Sequence, residues 1–282
     1  MKTGLVLEGG AMRGMFTAGV LDILMDNGIS VDGAIGVSAG AVFGCNFKSK
    51  QRGRAIRYNK RFAGDKRYCS FSSLIRTGDL YNAEFDYDEL PNKLDPFDYD
   101  AFESNPMEFI VVATDADTGK PVYHKCTDGR GDDMQWMRAS ASMPALSKLV
   151  ELDGMRLSDG GTADSIPLRY FERMGYDRII VVLTQPEGFV KKPNKMLPFL
   201  RFFLRKTPML VKALENRHTR YNETLSYIKD KEKRGEILVL RPDSSLNIKA
   251  GEKNPDELER VYQEGIKVAK RRLEEIKLFL EK

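Results

Sequence analysis

Short apolar runs alternate with apolar stripes at helical spacing over the first half of the chain. Gly4-Leu5-Val6-Leu7 reads as a buried strand, and a glycine-rich turn, Glu8 to Gly14, follows it. Met15 to Asn27 predicts a helix with Val20, Leu21, Leu24 and Met25 on one face and Gly28 as its stop. Val31 to Val37 predicts a second strand, and Ser38 to Phe47 a helix that opens directly from it. That order implies parallel strands joined by crossover helices, an α/β fold. Further strands are expected at Glu108–Thr114, with a hairpin return over Pro121–Lys125, and at Arg178–Thr184 and Glu236–Arg241. Gln135 to Ser142 reads as helix, and Asp153-Gly154 as the turn of a second hairpin. From Asp256 to Lys282, Leu258, Tyr262, Ile266, Ala269, Leu273, Ile276 and Leu280 recur in steps of three and four, which predicts one amphipathic helix packed on the sheet.

Composition narrows this picture. With 282 residues, 41% hydrophobic and 30% charged, the chain can bury a sizeable core. Its net charge of +4 does not call for nucleic acid. Three cysteines without C-x-x-C spacing and two histidines disfavour a disulfide framework and exclude a multi-histidine metal site. The apolar runs fall far short of the ~20 residues a bilayer span needs. The expectation is a cytoplasmic protein that meets a membrane peripherally, if at all.

Charge is unevenly spread. Residues 48–67 hold nine Lys/Arg against one acid, and residues 79–103 nine Asp/Glu against one Lys. These blocks read as solvated faces that partly pair, with contact of the basic block to anionic lipid or phosphate as the alternative. Residues 186–234 carry thirteen Lys/Arg against five acids, with an aromatic run from Met196 to Leu204. Such a segment can pack on the domain as a helical arm or lid, or lie on an anionic membrane surface.

Candidate chemistry concentrates at three turns. Gly36-Val37-Ser38-Ala39-Gly40 is a G-x-S-x-G where a strand meets a helix. A sharp turn there lifts the Ser38 hydroxyl above the sheet, beside the amides of a helix N-terminus. Serine also caps helices with no catalytic role. The Glu8–Gly14 turn presents backbone N–H groups to a ligand, as a pyrophosphate cradle or as an oxyanion hole. It nearly matches a dinucleotide fingerprint, but Ala11 stands at the middle glycine. Asp159-Gly160-Gly161 is either an ordinary turn or, with Ser38, a source of general base. His218 sits in a polar helical stretch expected to be solvated, and His124 on a hairpin, so a histidine triad is disfavoured and a Ser38–Asp159 dyad remains.

In these residues the chain resembles the patatin-like phospholipases. The family's oxyanion loop, G-G-G-x-R/K-G, reads here Gly9-Gly10-Ala11-Met12-Arg13-Gly14, and the nucleophile elbow is Gly36 to Gly40. An A-S-x-x-x-P motif runs from Ala139 through Ser140 to Pro144, and the D-G-G/A motif is Asp159-Gly160-Gly161. The resemblance covers roughly residues 3 to 185. It implies a three-layer α/β/α fold with a mostly parallel sheet and a serine carboxylic-ester hydrolase acting on acyl lipids, without metal or cofactor. Ser38 and Asp159 would be catalytic. Gly9, Gly10, Ala11, Arg13 and Gly14 would form the oxyanion loop, with Arg13 bracing it or meeting lipid phosphate. Gly36, Ala39, Gly40, Ser140, Pro144, Gly160 and Gly161 would support the site. The expected organisation is a catalytic core over 1–185, a basic aromatic arm or lid over 186–234, and a final strand with a C-terminal helix over 235–282. One departure stands out: a left-handed backbone costs alanine about 1 kcal/mol or more, so Ala11 should be right-handed or mildly strained. A non-catalytic membrane-surface protein and a nucleotide-binding protein are the alternatives.

Overall fold

In the first strand, β1 (Thr3–Leu7), successive side chains go to opposite faces of one sheet. Leu5 and Leu7 enter one buried cluster and Val6 the other. The computed structural model describes residues 1–281. Its remaining strands are β2 (Gly33–Val37), β3 (Glu108–Asp115), β4 (Pro121–Cys126), β5 (Val150–Leu152), β6 (Met155–Asp159), β7 (Arg178–Val182) and β8 (Ile237–Leu240). They form one sheet in the order β5-β6-β3-β2-β1-β7-β8, with β4 also on β3. The β3-β2-β1-β7-β8 stretch is parallel, and β4, β5 and β6 add antiparallel pairs. Both faces of the parallel strands are buried, which accounts for their unbroken apolar runs.

The helices are α1 (Gly14–Asp26), α2 (Ala39–Lys48), α3 (Arg54–Phe62), α4 (Phe71–Thr77), α5 (Tyr99–Ser104), α6 (Asp132–Ser140), α7 (Leu168–Arg173), α8 (Leu197–Phe203), α9 (Pro208–Lys233), α10 (Pro255–Arg271) and α11 (Leu273–Glu281). Core residues of α1, α2, α6 and α10 cover the Leu5 face, and Leu168, Phe171, Tyr221 and Ile228 of α7 and α9 cover the Val6 face. The fold is therefore α/β with a mostly parallel central sheet between helical layers, and a helical C-terminal extension. No helix among the described residues is long and apolar enough to cross a membrane.

Two expectations need correction. The second strand begins at Gly33 rather than Val31, because the Asp32 carboxylate takes the N–H and hydroxyl of Thr3. The single C-terminal helix is two, broken at Arg272, whose guanidinium turns inward to the Val239 carbonyl and pairs with Glu275. The two charge blocks do pair in part: Asp95 meets Arg54 at 3.3 Å and Arg57 at 2.7 Å, and Arg67 lies 3.6 Å from Glu89.

Candidate active site

The sheet brings the two candidate residues together through an interruption. Along β3, β2 pairs only as far as Val37 opposite Val112. Since β4 fills the other edge of β3, β6 takes over the edge that β2 leaves, with Asp159 opposite Ala113. Asp159 thus occupies the place the next residue of β2 would have taken, and Ser38 is that next residue. Ser38 Oγ donates to Asp159 Oδ2 over 2.8 Å, and both residues are buried.

Local sequence explains the turn at Ser38. Its backbone sits at φ 53, ψ −121, a strained conformation for a residue with a side chain. A β-carbon at Gly40 would lie 2.3 Å from the Leu7 carbonyl oxygen, and one at Gly36 2.5 Å from that of Gly40, so the elbow closes only with glycine at both places. Ser140 locks it from beneath: its hydroxyl accepts the Ser38 N–H at 2.8 Å and donates to the Val112 carbonyl at 2.5 Å. Asp159 is held equally firmly. Its N–H donates to Ser142 O, its carbonyl accepts from the Thr114 hydroxyl, and Oδ1 accepts the Gly161 N–H at 2.7 Å. Burial pushes the Asp159 carboxyl up, opposed by the Arg217 guanidinium, the Ser38 hydroxyl and the Gly161 amide.

The Gly9–Gly14 loop lies against this pair. A β-carbon on Gly9 would come within 3.1 Å of Ser38 Cβ, and Ala11 borders the same pocket as Ser38. Ala11 is left-handed, with φ 47, so the loop carries the mild strain rather than the right-handed alternative. The N–H groups of Arg13 and Gly14 are spent inside the turn, on Gly10 O and on Ala11 O and Met12 O. Those of Gly10, Ala11 and Ala39 have no acceptor among the described residues. The Arg13 side chain reaches Thr184 Oγ1 at 3.5 Å.

A largely apolar pocket opens from Ser38. Val42, Phe43, Tyr58, Leu90, Met137 and Met143 line it, with Asp86 and Tyr87. Pro144 is not part of the lining; its neighbours Ala141 and Met143 are.

Neither histidine bonds to Ser38 or Asp159. His218 is half-buried rather than solvated. His124 stacks on Trp136 and lies 2.7 Å from Asp133. With Cys126 these two form a group of potential metal-ligand atoms within 4.8 Å of one another, but Asp133 Oδ2 already accepts the N–H groups of Thr127, Asp128 and Gly129. Those bonds account for the group as a loop anchor.

A polar cluster behind the Gly9–Gly14 loop was not anticipated from the sequence. Glu8 is buried, accepting the Thr184 N–H at 2.6 Å and the Tyr221 hydroxyl at 2.5 Å. Arg217 stands beside Asp159. The available signal lay in α9, where Leu210, Leu214, Arg217, Tyr221 and Ile228 share one helical face, placing a cation in a buried stripe.

A model of the patatin-like phospholipase family matches residues 5–172. The chain belongs to this family. A second model, a domain of unknown function (DUF6363), matches residues 207–281. The uncharacterized protein YjjU of Escherichia coli is 27% identical, over 87% of this chain and 70% of its own length. An uncharacterized NTE family protein of Mycobacterium tuberculosis is 28% identical, over 64% of this chain and 48% of its own. Aspergillus fumigatus lysophospholipase nte1 is 29% identical, over 64% of this chain and 12% of its own. The chain thus spans about half the mycobacterial relative and a small part of the fungal one. Among solved structures, VipD from Legionella pneumophila matches with TM-score 0.45 and 12% identity, over 97% of this chain and 67% of its own. At the level of the family the chain is a lipid hydrolase.

Proposed function

We propose that this protein cleaves carboxylic esters of acyl lipids, as a phospholipase A or esterase, through Ser38 and Asp159. The observation that carries the reading is the 2.8 Å hydrogen bond between them, buried beneath a glycine loop with unspent amides. Asp159 takes the hydroxyl proton as Ser38 Oγ attacks the ester carbonyl. The Gly10, Ala11 and Ala39 N–H groups stabilise the oxyanion, and its collapse expels the alcohol, which carries the proton away. Asp159 then activates water against the acyl-enzyme, releasing the fatty acid and restoring Ser38. The apolar pocket suits the acyl chain. The fungal relative is named a lysophospholipase, which supports a lipid substrate. A nucleotide-binding or purely interfacial role would leave the Ser38–Asp159 contact without a use.

Helix α8 supports delivery to a lipid surface as part of the same reading. Phe199, Phe202 and Phe203 are at least half exposed, next to exposed Met196, and Lys195, Arg201, Arg205 and Lys206 surround them.

Ser38→Ala and Asp159→Asn should each lower turnover of a p-nitrophenyl ester by about 10³-fold or more with unchanged circular dichroism. A fluorophosphonate probe should label the wild type and not Ser38→Ala. Near-normal turnover in either variant rejects the dyad.

A further inference from the structure

Three cations gather behind the Gly9–Gly14 loop around two carboxylates. Glu8 is committed to the Thr184 N–H and the Tyr221 hydroxyl, and Asp159 to the Gly161 N–H and the Ser38 hydroxyl. Arg13, Lys191 and Arg217 are each half-buried, and none forms an ion pair among the described residues. Arg13 has only its 3.5 Å approach to Thr184. The Lys191 ammonium lies 4.2 Å from the Tyr221 ring centre and donates to no oxygen. The Arg217 side chain makes no hydrogen bond among the described residues, and its buried Nε is without a partner. Charged groups so withdrawn from water ordinarily find a counter-ion, so a lasting excess of positive charge here needs an anion from outside.

The backbone that carries two of these cations is anchored. Asn222 clamps the Lys191 backbone, accepting its N–H at 2.8 Å and donating to its carbonyl at 3.0 Å. Arg217 stands one helical turn before Tyr221 on α9, and Arg220 ties that helix to the Thr162 carbonyl at 2.9 Å. The cluster also abuts the reacting atoms. A β-carbon on Gly161 would lie 3.0 Å from Asp159 Oδ1 and 3.1 Å from Arg217 Nη2, so carboxylate and guanidinium meet across that glycine. Burial, with Arg217 and Arg13 nearby, draws the Lys191 ammonium down to about 8, as expected of a cation short of negative neighbours.

We infer that Arg217 and Lys191, with Arg13, form a phosphate-binding subsite beside the Ser38–Asp159 pair, able to hold the headgroup phosphate of an acyl lipid while its ester faces Ser38. This inference rests on the hydrolase reading for its substrate and names the residues that choose it. A lysophospholipid places its phosphate a few bonds from the ester, next to the dyad, whereas its acyl chain leaves through the apolar pocket. Two of the three cations come from residues beyond the stretch that matches the phospholipase family model, so the C-terminal segment supplies substrate selection.

The test compares lysophosphatidylglycerol with a monoacylglycerol of the same chain, which carries the same ester without phosphate. The wild type should favour the phosphate-bearing substrate in kcat/KM. Lys191→Gln and Arg217→Gln should each reduce that preference about tenfold or more, the scale of a lost charge-assisted hydrogen bond. Lys191→Arg should restore much of it, and Lys192→Gln, an exposed neighbour, should leave it intact. An unchanged preference, or equal losses on both substrates, overturns the subsite and leaves the hydrolase standing. Calorimetric titration of Ser38→Ala protein separates the two readings from the other side. Saturable binding of lysophosphatidylglycerol that depends on Lys191 and Arg217 upholds the subsite even if the wild type hydrolyses neither lipid. Titration with sodium phosphate identifies the source: comparable binding assigns a free phosphate ion, and weak or no binding assigns the lipid headgroup. Absence of binding by both probes rejects the site.

Discussion

Asp159 is held under opposing influences. Burial favours its neutral form, and Arg217, the Ser38 hydroxyl and the Gly161 amide favour the carboxylate; burial prevails, so its pKa in the folded protein stands above the ordinary value. Such a group binds a proton more tightly folded than unfolded. Its stabilising contribution is present below the ordinary carboxylate pKa and is lost as pH rises through the raised one. At neutral pH the ionised side chain therefore costs stability. Asp159→Asn keeps an acceptor for the Gly161 N–H and removes that charge, so Tm at pH 7 should rise above that of the wild type, and the gain should shrink toward pH 4. Differential scanning calorimetry at the two pH values decides the matter; a Tm at or below wild type at pH 7 would contradict it. Ser38 and Asp159 were legible because each lies in a local pattern of glycines that the turn itself demands. Arg217 was not. Its place beside Asp159 is reached only when α9 folds back over the sheet, and the polar residues around it, Asn216 to Arg220, look like a solvated surface.

Helix α8 has seven residues, too few to be stable by propensity, and buries only Leu200 of its aromatic-rich sequence. An element so short and so poorly covered gains most from a second apolar surface. If that surface is an anionic bilayer, binding combines aromatic burial with attraction of the Lys and Arg rim. Replacing Phe202 and Phe203 with alanine should weaken sedimentation with phosphatidylglycerol vesicles about tenfold or more. Raising salt to 0.5 M should weaken wild-type binding as well, since exposed charges are screened. Vesicle binding indifferent to both changes would exclude α8 as the contact. The strands and the elbow helix were readable as elements because a two-sided parallel sheet leaves unbroken apolar runs. The segment between residues 49 and 107 was not. There α3, α4, α5 and a π-helical stretch, Phe85–Leu94, alternate with turns, and the wide helix erases the usual periodicity. Tyr58, Tyr68, Tyr81 and Tyr87, which wall the pocket, are drawn one at a time from these pieces.

Two family models divide the chain, yet the molecule does not divide at the same place. The sheet continues from β7 into β8, with Ile179 to Val182 opposite Ile237 to Leu240. On one face α10 packs along α1, where the Tyr262 hydroxyl donates to Asp22 Oδ2 at 2.6 Å. On the other, Tyr221 of α9 bonds Glu8, next to the Gly9–Gly14 loop. The region matched by the second model therefore supplies a strand, cover for both faces and contacts to the candidate site. A chain ending at residue 206 would lose the buried side chains of Leu210, Ile237, Val239, Leu258, Val261 and Tyr262, among others. At ~1.5–3 kcal/mol for each large side chain fully buried, those six alone reach the ~5–15 kcal/mol by which domains are stable. The parallel edge of β7 would also lie open to pairing with other chains. The truncated protein should show no cooperative thermal transition and should aggregate, and adding back residues 207–282 as a separate peptide is the stringent control. A sharp melting transition from the truncated chain, with retained ester hydrolysis, would mean that the phospholipase-like region folds on its own and that the C-terminal segment is an appendage.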